Sequence, residues 1–297
     1  MKHLSPIEHI SYKDFPEIWV KRDDLIDPYI SGNKWRKLKY ILSEAKNKKK
    51  SHLITFGGAY SNHLVATAAA GARNGLQTTA FVRGEEVKNE MLLLCKMFGM
   101  KLIFVDRERY RHKDQLFSEY FEDSKDAFFI DEGGASEEAV IGCAEIISEL
   151  DKSYDYIFCA AGTGTTAAGL LRGLNEIISS SELHIVPVLK GGEFINTEIK
   201  NYERNTDRLK LHTQYHFGGY AKTDHALLAF MKDFTAQTGL LIDPVYTAKM
   251  FYAIYDLIEK KELKQDSKIL AIHTGGLLGI LGMKEKLYSS FNITNNL

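Results

Sequence analysis

The sequence predicts an α/β protein of two lobes, each a mainly parallel, twisted sheet flanked by helices. Three observations carry this. Short β-rich runs alternate with longer helical patterns along most of the 297 residues. Several runs are apolar on consecutive residues, as strands buried on both faces should be. There are five prolines and no long linker, so a domain boundary has to be a crossover rather than a tether.

The strand candidates, in chain order, are EIWVKR (17–22), HLITFGG (52–58), TTAFVR (78–83), KLIFVD (101–106), AFFIDEGG (127–134), YDYIFCAAG (154–162), HIVPVL (184–189) and KILAIHTGG (268–276). Helical periodicity opens near Lys34 and presents Trp35, Leu38, Ile41 or Leu42, and Ala45 on one stripe. On that stripe's reading, Lys37 and Lys39 reach to water. Further helical patterns run from Ser61 to Asn74, Thr165 to Ser179 and Tyr246 to Lys260. The plausible breaks fall at 47–51 and 150–155. They enclose a smaller lobe, 48–150, of ordinary domain size. Residues 1–47 with 151–297 form the larger lobe. A cleft between such lobes, outside the carboxyl ends of strands, is where ligands of these folds bind.

Composition excludes several classes. Hydrophobic residues are 44% and charged residues 26%, normal for a globular protein with a real core. A net charge of −1 favours neither nucleic acid nor an anionic membrane as partner. The KNKKK run (46–50) reads as a solvated loop just past a helix end. Cys95, Cys143 and Cys159 form no C-x-x-C pair, and an odd count argues against a disulfide framework. Cys159 reads as a small core residue. No signal segment or membrane span is evident, so a reduced, cytoplasmic protein is expected. His212 and His216 lack partner ligands at a usual spacing, so no metal site is expected. Asp23 and Asp24 read as a capping or salt-bridging pair.

Four segments could carry chemistry. In AAGTGTTAAGLLRGL (160–174) an apolar strand ends at a turn with Gly162 and Gly164, the hydroxyls of Thr163, Thr165 and Thr166 follow, and a helix begins. Successive amides at a helix N-terminus bind anions, most often phosphate. No Gly-Lys-Ser/Thr ending makes it a nucleotide loop; the plainer reading is a turn needed for packing. In TFGGAYSNH another strand runs into Ser61, Asn62 and His63. Ser61 or Asn62 can cap the helix, or the Ser61 hydroxyl and the free amides can face a carboxylate. The helix behind is thin, with Ala66, Ala68, Ala69, Ala70, Gly71 and Ala72. Lys34 sits in the first turn of its helix, where the dipole disfavours an ammonium and a nucleophilic amine gains. In DPVYTAK (243–249) and IHTGGLLG (272–279), Tyr246, Thr247 and Thr274 lie at comparable ends, with capping and core hydrogen bonding as the plainer roles.

Taken together and in order, VKRDD, GNKWRK, YSNH, AAGTGTTAAG, GGY (218–220), DPVYTAK and HTGG resemble the family of 1-aminocyclopropane-1-carboxylate deaminases and D-cysteine desulfhydrases. These are pyridoxal 5'-phosphate enzymes of the tryptophan-synthase-β fold (fold type II). The resemblance spans nearly the whole chain. It implies that Lys34 carries the cofactor as a Schiff base and that Asn62 helps hold the cofactor's phenolic oxygen. Ser61, with the amides of Asn62 and His63, matches the loop that grips a substrate carboxylate. Gly162, Thr163, Gly164, Thr165 and Thr166 match the phosphate loop. Tyr220 and Tyr246 match two active-site tyrosines. Thr247 and Thr274 stand where deaminases carry glutamate and leucine, as in the desulfhydrases; the resemblance places Thr247 by the substrate and Thr274 by the cofactor.

The resemblance therefore implies a lyase acting on a small amino acid by α,β-elimination. The leading expectation is D-cysteine giving pyruvate, sulfide and ammonia. Deamination of 1-aminocyclopropane-1-carboxylate to 2-oxobutanoate and ammonia is the rival, and a non-catalytic binding protein on the same fold is another. A homodimer is implied by resemblance alone. Tyr60, Trp35 and Thr165 depart from the family pattern, FIDEGGAS lacks the usual proline, and the chain is shorter at the N-terminus. Tyr60 and Trp35 are expected to flank the pocket.

Overall fold

The computed structural model describes residues 5–177 and 179–291. Its strands are β1 (Ile7–Ile10), β2 (Ile18–Lys21), β3 (His52–Gly58), β4 (Gln77–Arg83), β5 (Lys101–Val105), β6 (Ala127–Ile130), β7 (Tyr156–Ala161), β8 (Glu182–Pro187), β9 (Leu209–Leu211) and β10 (Ile269–Ile272). The helices are α1 (Asn33–Asn47), α2 (Asn62–Arg73), α3 (Glu90–Met97), α4 (Lys113–Phe121), α5 (Glu137–Ser148), α6 (Thr165–Glu176), α7 (Phe194–Lys200), α8 (His225–Thr238), α9 (Thr247–Glu259) and α10 (Lys284–Ser290). The larger sheet has the order β1-β2-β10-β7-β8-β9 and the smaller one β5-β4-β3-β6. All neighbours are parallel except β1 with β2.

Period-two alternation explains why β7 has no polar face. Tyr156, Phe158 and Ala160 enter one core with α8 and α9, while Ile157, Cys159 and Ala161 enter another with α5 and α6. β10 divides in the same way, Ile269 and Ala271 against Leu270 and Ile272. Cys159 is a buried free thiol, as its setting in the sequence implies.

All eight expected strands are present. AFFIDEGG is strand only to Ile130 and then forms a 3-10 turn, Glu132–Gly134. β1 and β9 were not anticipated. They are short edge strands with partly exposed side chains, and so lack the run of buried apolar residues that marks the others. The helix expected to reach Ser179 ends at Glu176, and residue 178 lies outside the described residues. KNKKK does not lie wholly beyond its helix, since Lys46 and Asn47 are still in α1.

The helices on either side of 150–155 pack on each other. Val140, Ile146 and Ile147 of α5 pack with Leu170, Leu171 and Leu174 of α6 beneath the larger sheet. Ile41 and Ala45 of α1, with Ala139 of α5, pack on Leu53 and Ile130 of the smaller sheet. α5 thus contributes to the cores of both sheets. Trp35 lies on the apolar stripe with Leu38, as its spacing implies, and packs against Ala66, Ala69 and Ala70, so the thin face of α2 receives α1 and its tryptophan.

Close approach sets the packing of α5 on α1. A Cβ added at Gly142 would lie 2.0 Å from the Arg36 carbonyl oxygen of α1. Gly142→Ala should therefore push α5 off α1 and lower stability by about 1–3 kcal/mol, read as a lower denaturant midpoint with an unchanged slope.

Candidate active site

The start of α1 is fixed by the turn after β10. Gly32 has φ +60°, and a Cβ there would lie 1.9 Å from the Thr274 carbonyl oxygen, so only glycine lets the two backbones meet. The Asn33 amide donates to that same oxygen at 3.2 Å. The turn is itself held by buried His273. Its Nε2 lies 2.9 Å from the Leu241 carbonyl and so carries the hydrogen, leaving Nδ1 to accept from the Gly275 amide at 3.3 Å. The Asn33 side chain reaches across to Thr166 Oγ1 at 3.0 Å, joining α1 to the glycine loop before α6.

A buried ionic network holds the next turn. Arg36 donates to both Asp23 oxygens at 2.9 and 3.0 Å and to Glu149 Oε2 at 2.8 Å. Lys21 joins Glu149 at 2.9 Å and Ser5 Oγ at 2.6 Å. Asp23 and Asp24 are salt-bridging residues, as read; Asp24 takes Arg22 at 2.9 and 2.8 Å. Burial works against the Glu149 carboxylate, yet the hydrogen bonds from Arg36 and Lys21 outweigh it and hold its pKa below the ordinary value.

Lys34 and Lys37 converge on one acceptor. Their Nζ atoms lie 3.3 and 3.0 Å from the carbonyl oxygen of Gly133. Lys37 was expected at the surface and is instead 2% exposed. Spacing i, i+3 puts it on the Lys34 face, and the turn after β6 covers that face. Lys39 does reach solvent and pairs with Glu145 at 2.6 Å. The Lys34 pKa is well below that of an ordinary lysine, through burial first and the neighbouring Lys37 charge second. Burial also lowers Lys37. His63 is buried nearby. Thr55 Oγ1 donates to the Ile130 carbonyl at 3.0 Å, so it accepts from His63 Nε2 at 2.8 Å, and His63 Nδ1 is left as a buried acceptor without a partner. Burial, then Lys34 and Lys37, push the His63 pKa well down and keep the ring neutral.

Other expected residues gather around this point. Ser61 occupies the N-cap of α2 but makes no capping bond, so its hydroxyl and the first-turn amides face outward from the helix. Asn62 Nδ2 donates to the Gly276 carbonyl at 3.2 Å, linking α2 to the turn after β10. Thr163 and Thr165 share a hydroxyl hydrogen bond of 3.2 Å. A Cβ at Gly133 would touch Thr163 at 3.2 Å, and one at Gly162 would touch Tyr246 at 3.3 Å. Tyr246 meets Tyr220 edge to face, with centroids 6.0 Å apart. Burial, then Tyr220, raise the Tyr246 pKa well above that of a free phenol. Thr247 is not presented. It is fully buried, donates to Asp243 Oδ1 at 2.8 Å and accepts from the Asp243 amide at 2.7 Å. Its hydroxyl is committed to the turn that opens α9, which is the plainer role the sequence allowed.

Ser61, Gly133, the 162–166 loop and Thr274 lie at carboxyl ends of strands around the places where the sheet order reverses. In the smaller sheet, β4 and β6 flank β3; in the larger, β8 and β10 flank β7. The loops after β3, β6, β7 and β10 supply Ser61, Gly133, the 162–166 loop and Thr274. Crevices at such reversals are where open α/β sheets bind ligands.

The profile of the family described as "Pyridoxal-phosphate dependent enzyme" matches residues 4–275. The chain belongs to this family. It is 32% identical, over 96% of its length and 93% of the relative's, to a Pyrococcus horikoshii protein provisionally named a 1-aminocyclopropane-1-carboxylate deaminase. It is 26% identical, over 92% of both chains, to a D-cysteine desulfhydrase of Yersinia enterocolitica. The crystal structure of an "ACC deaminase homologue" superposes with a TM-score of 0.87 at 30% identity, covering 96% of this chain and 93% of that one. A tomato (Solanum lycopersicum) threonine deaminase, at TM-score 0.70 and 15% identity over 98% of this chain and 84% of that one, shares the fold.

The residues of this pyridoxal-phosphate enzyme fit their cofactor. A phosphate needs donors and positive charge, and the free amides at the start of α6, the threonine hydroxyls and buried Lys37 supply both. Lys37 has no carboxylate partner within ion-pair distance among the described residues. An amine depressed like that of Lys34 is the group that attacks an aldehyde carbon. The sequence reading missed Lys37, the Gly133 carbonyl and Asp243. The available signals were the i, i+3 spacing from Lys34 and the paired glycines of FIDEGGAS. Among the described residues no group of side chains could hold a metal ion, and no helix is long and apolar enough to cross a membrane.

The Glu149 network makes a pH prediction. Because its folded pKa is depressed, its stabilisation is complete above the unfolded value of about 4.3 and is lost as pH falls through the folded value. Glu149→Gln should cost about 3–5 kcal/mol at neutral pH and flatten the acid limb of a stability-versus-pH curve measured by denaturant titration.

Proposed function

We propose that this enzyme degrades a small amino acid by α,β-elimination, with D-cysteine giving pyruvate, sulfide and ammonia. The observation that carries this reading concerns Thr247, which stands where the family's deaminases carry glutamate and offers no carboxylate to the cofactor. Thr247 is bound to Asp243, and Asp243 in turn accepts from the amides of Val245, Tyr246 and Thr247 as well as the Thr247 hydroxyl. Thr274 ends its turn with a neutral side chain.

In this reading Lys34 holds the cofactor. The 162–166 loop and Lys37 hold its phosphate, Asn62 its phenolic oxygen and Thr274 its ring nitrogen. Ser61 and the amides of Asn62 and His63 bind the substrate carboxylate. When bound, pyridoxal phosphate supplies a sink for the electron pair left as Cα loses its proton. The Lys34 amine, whose environment favours the neutral form, would take the Cα proton. Tyr246 keeps its own proton at neutral pH and, with Tyr220 against it, donates to the sulfide leaving Cβ. Water then completes the balance to pyruvate and ammonia.

The names of the 32% identical relatives favour a second reading, 1-aminocyclopropane-1-carboxylate as substrate. Breaking a carbon–carbon bond needs a stronger sink than losing sulfide, and a neutral threonine by the ring nitrogen weakens it.

The purified protein should be yellow, and Lys34→Ala should lose the lysine-bound absorption and all turnover. A panel should decide the substrate: D-cysteine, L-cysteine, D-serine, β-chloroalanine and the cyclopropane amino acid, assayed for sulfide, pyruvate and 2-oxobutanoate. Sulfide release fastest from D-cysteine supports the leading reading; 2-oxobutanoate formation without it overturns it.

Lys37→Met should weaken cofactor binding by roughly 10- to 100-fold, the worth of one charge-assisted contact. Fluorescence titration of the apoprotein measures this, and saturating cofactor should restore the Lys34-bound absorption.

A further inference from the structure

Lys249 is a buried charge that the reaction above does not use. It lies on α9 three residues past Tyr246 and is fully buried. Its Nζ is 2.8 Å from the carbonyl oxygens of both His216 and Gly219, and 3.3 Å from that of Val188. Among the described residues no carboxylate lies within ion-pair distance of it. The one charged group acting on it is Asp243, near enough to favour the ammonium, while burial draws the pKa down to about 8.

Three N–H bonds meet three carbonyls, so each donor of an ammonium has a partner. A neutral amine has only two donors and would abandon one oxygen. Two of the three carbonyls belong to the segment that delivers Tyr220. That segment is costly to hold. Phe217 (φ 51°) and Ala221 (φ 53°) are left-handed without being glycine, and Gly218 and Gly219 between them have φ 92° and 117°. Tyr220 is 45% exposed, and its ring rests edge to face on Tyr246. α9 carries both the lysine that grips this segment and, at its N-cap, the tyrosine that Tyr220 meets.

We propose that Lys249 is a positioning residue. Its ammonium gathers the Val188, His216 and Gly219 carbonyls and so sets the Tyr220 ring against Tyr246. The proposal rests on the reading of these tyrosines as the proton-donating pair.

The test uses Lys249→Met and Lys249→Ala in the cofactor-loaded enzyme. Both should keep the Lys34-bound absorption, lose roughly 10- to 100-fold in kcat, as expected for a misplaced orienting group, and exchange the amides of 216–221 faster than the parent. Added methylammonium should restore turnover and amide protection to Lys249→Ala. Tetramethylammonium, which has no N–H to give, should not. Parent-like kcat in Lys249→Met, or equal rescue by both ions, overturns the proposal. If the variants fail to fold, the parent still decides: amides of 216–221 exchanging as fast as exposed loops overturn the clamp, and slow exchange supports it. A Tyr220→Phe enzyme with full turnover would instead sink the tyrosine reading and leave the clamp, read by exchange, standing.

Discussion

Two lysine amines share one carbonyl oxygen, that of Gly133, and the site is organised around this contact. Two ammonium groups on one acceptor, away from water, repel each other and lack solvation. The system lowers its energy by keeping one of them neutral or by admitting an anion. A cofactor with an aldehyde and a phosphate satisfies both demands: the aldehyde consumes the neutral amine and the phosphate neutralises the remaining cation. The unpaired Nδ1 of His63 belongs to the same frustrated patch. Local destabilisation of this kind marks functional sites more often than structural ones.

Lys34 and Lys37 sit on α1, which packs on the smaller sheet, and Gly133 follows β6 of that sheet. Asn33 ties the same helix to the loop after β7 and to the turn after β10. Asn62 ties α2 to that turn as well. α1 is fixed against the larger sheet, because Gly32 lets its first residue touch the Thr274 backbone and Arg36 locks its second turn to Asp23 and Glu149. Lys34 is thus placed by backbone contacts on one side and a buried ionic network on the other.

Much of this was legible in the sequence. β7 and β10 announce themselves as runs apolar on both faces, and the loops after β3 and β7 carry glycine, serine and threonine where amides become free. Lys34 stood out by its place in the first helical turn. Lys37 did not, because one-dimensional patterning assigns every charge off the apolar stripe to water, and only the turn after β6 shows otherwise. The stripe placed Trp35 with Leu38, but not its partners: the alanines that receive it lie 31 to 35 positions away, on another helix. Thr247 illustrates a further limit: its type was visible, its commitment to Asp243 was not. Non-local partners decide such cases, and spacing carries no information about them.

Asp243 organises the start of α9. A buried carboxylate near an electron-sink cofactor would ordinarily strengthen the sink by holding a proton on the ring nitrogen. Here its four donors are all backbone or hydroxyl groups of its own turn, so its charge is absorbed by the start of α9. Burial raises its pKa, and those donors oppose the rise. The carboxylate therefore fixes Tyr246 at the helix end and supports the Lys249 ammonium, while the ring nitrogen would be left to a threonine. On the proposed reading, such a lyase has a weak sink and a well-held proton donor. That combination suits a substrate whose β-substituent leaves readily once protonated, and it disfavours one whose carbon–carbon bond must be opened by the sink alone.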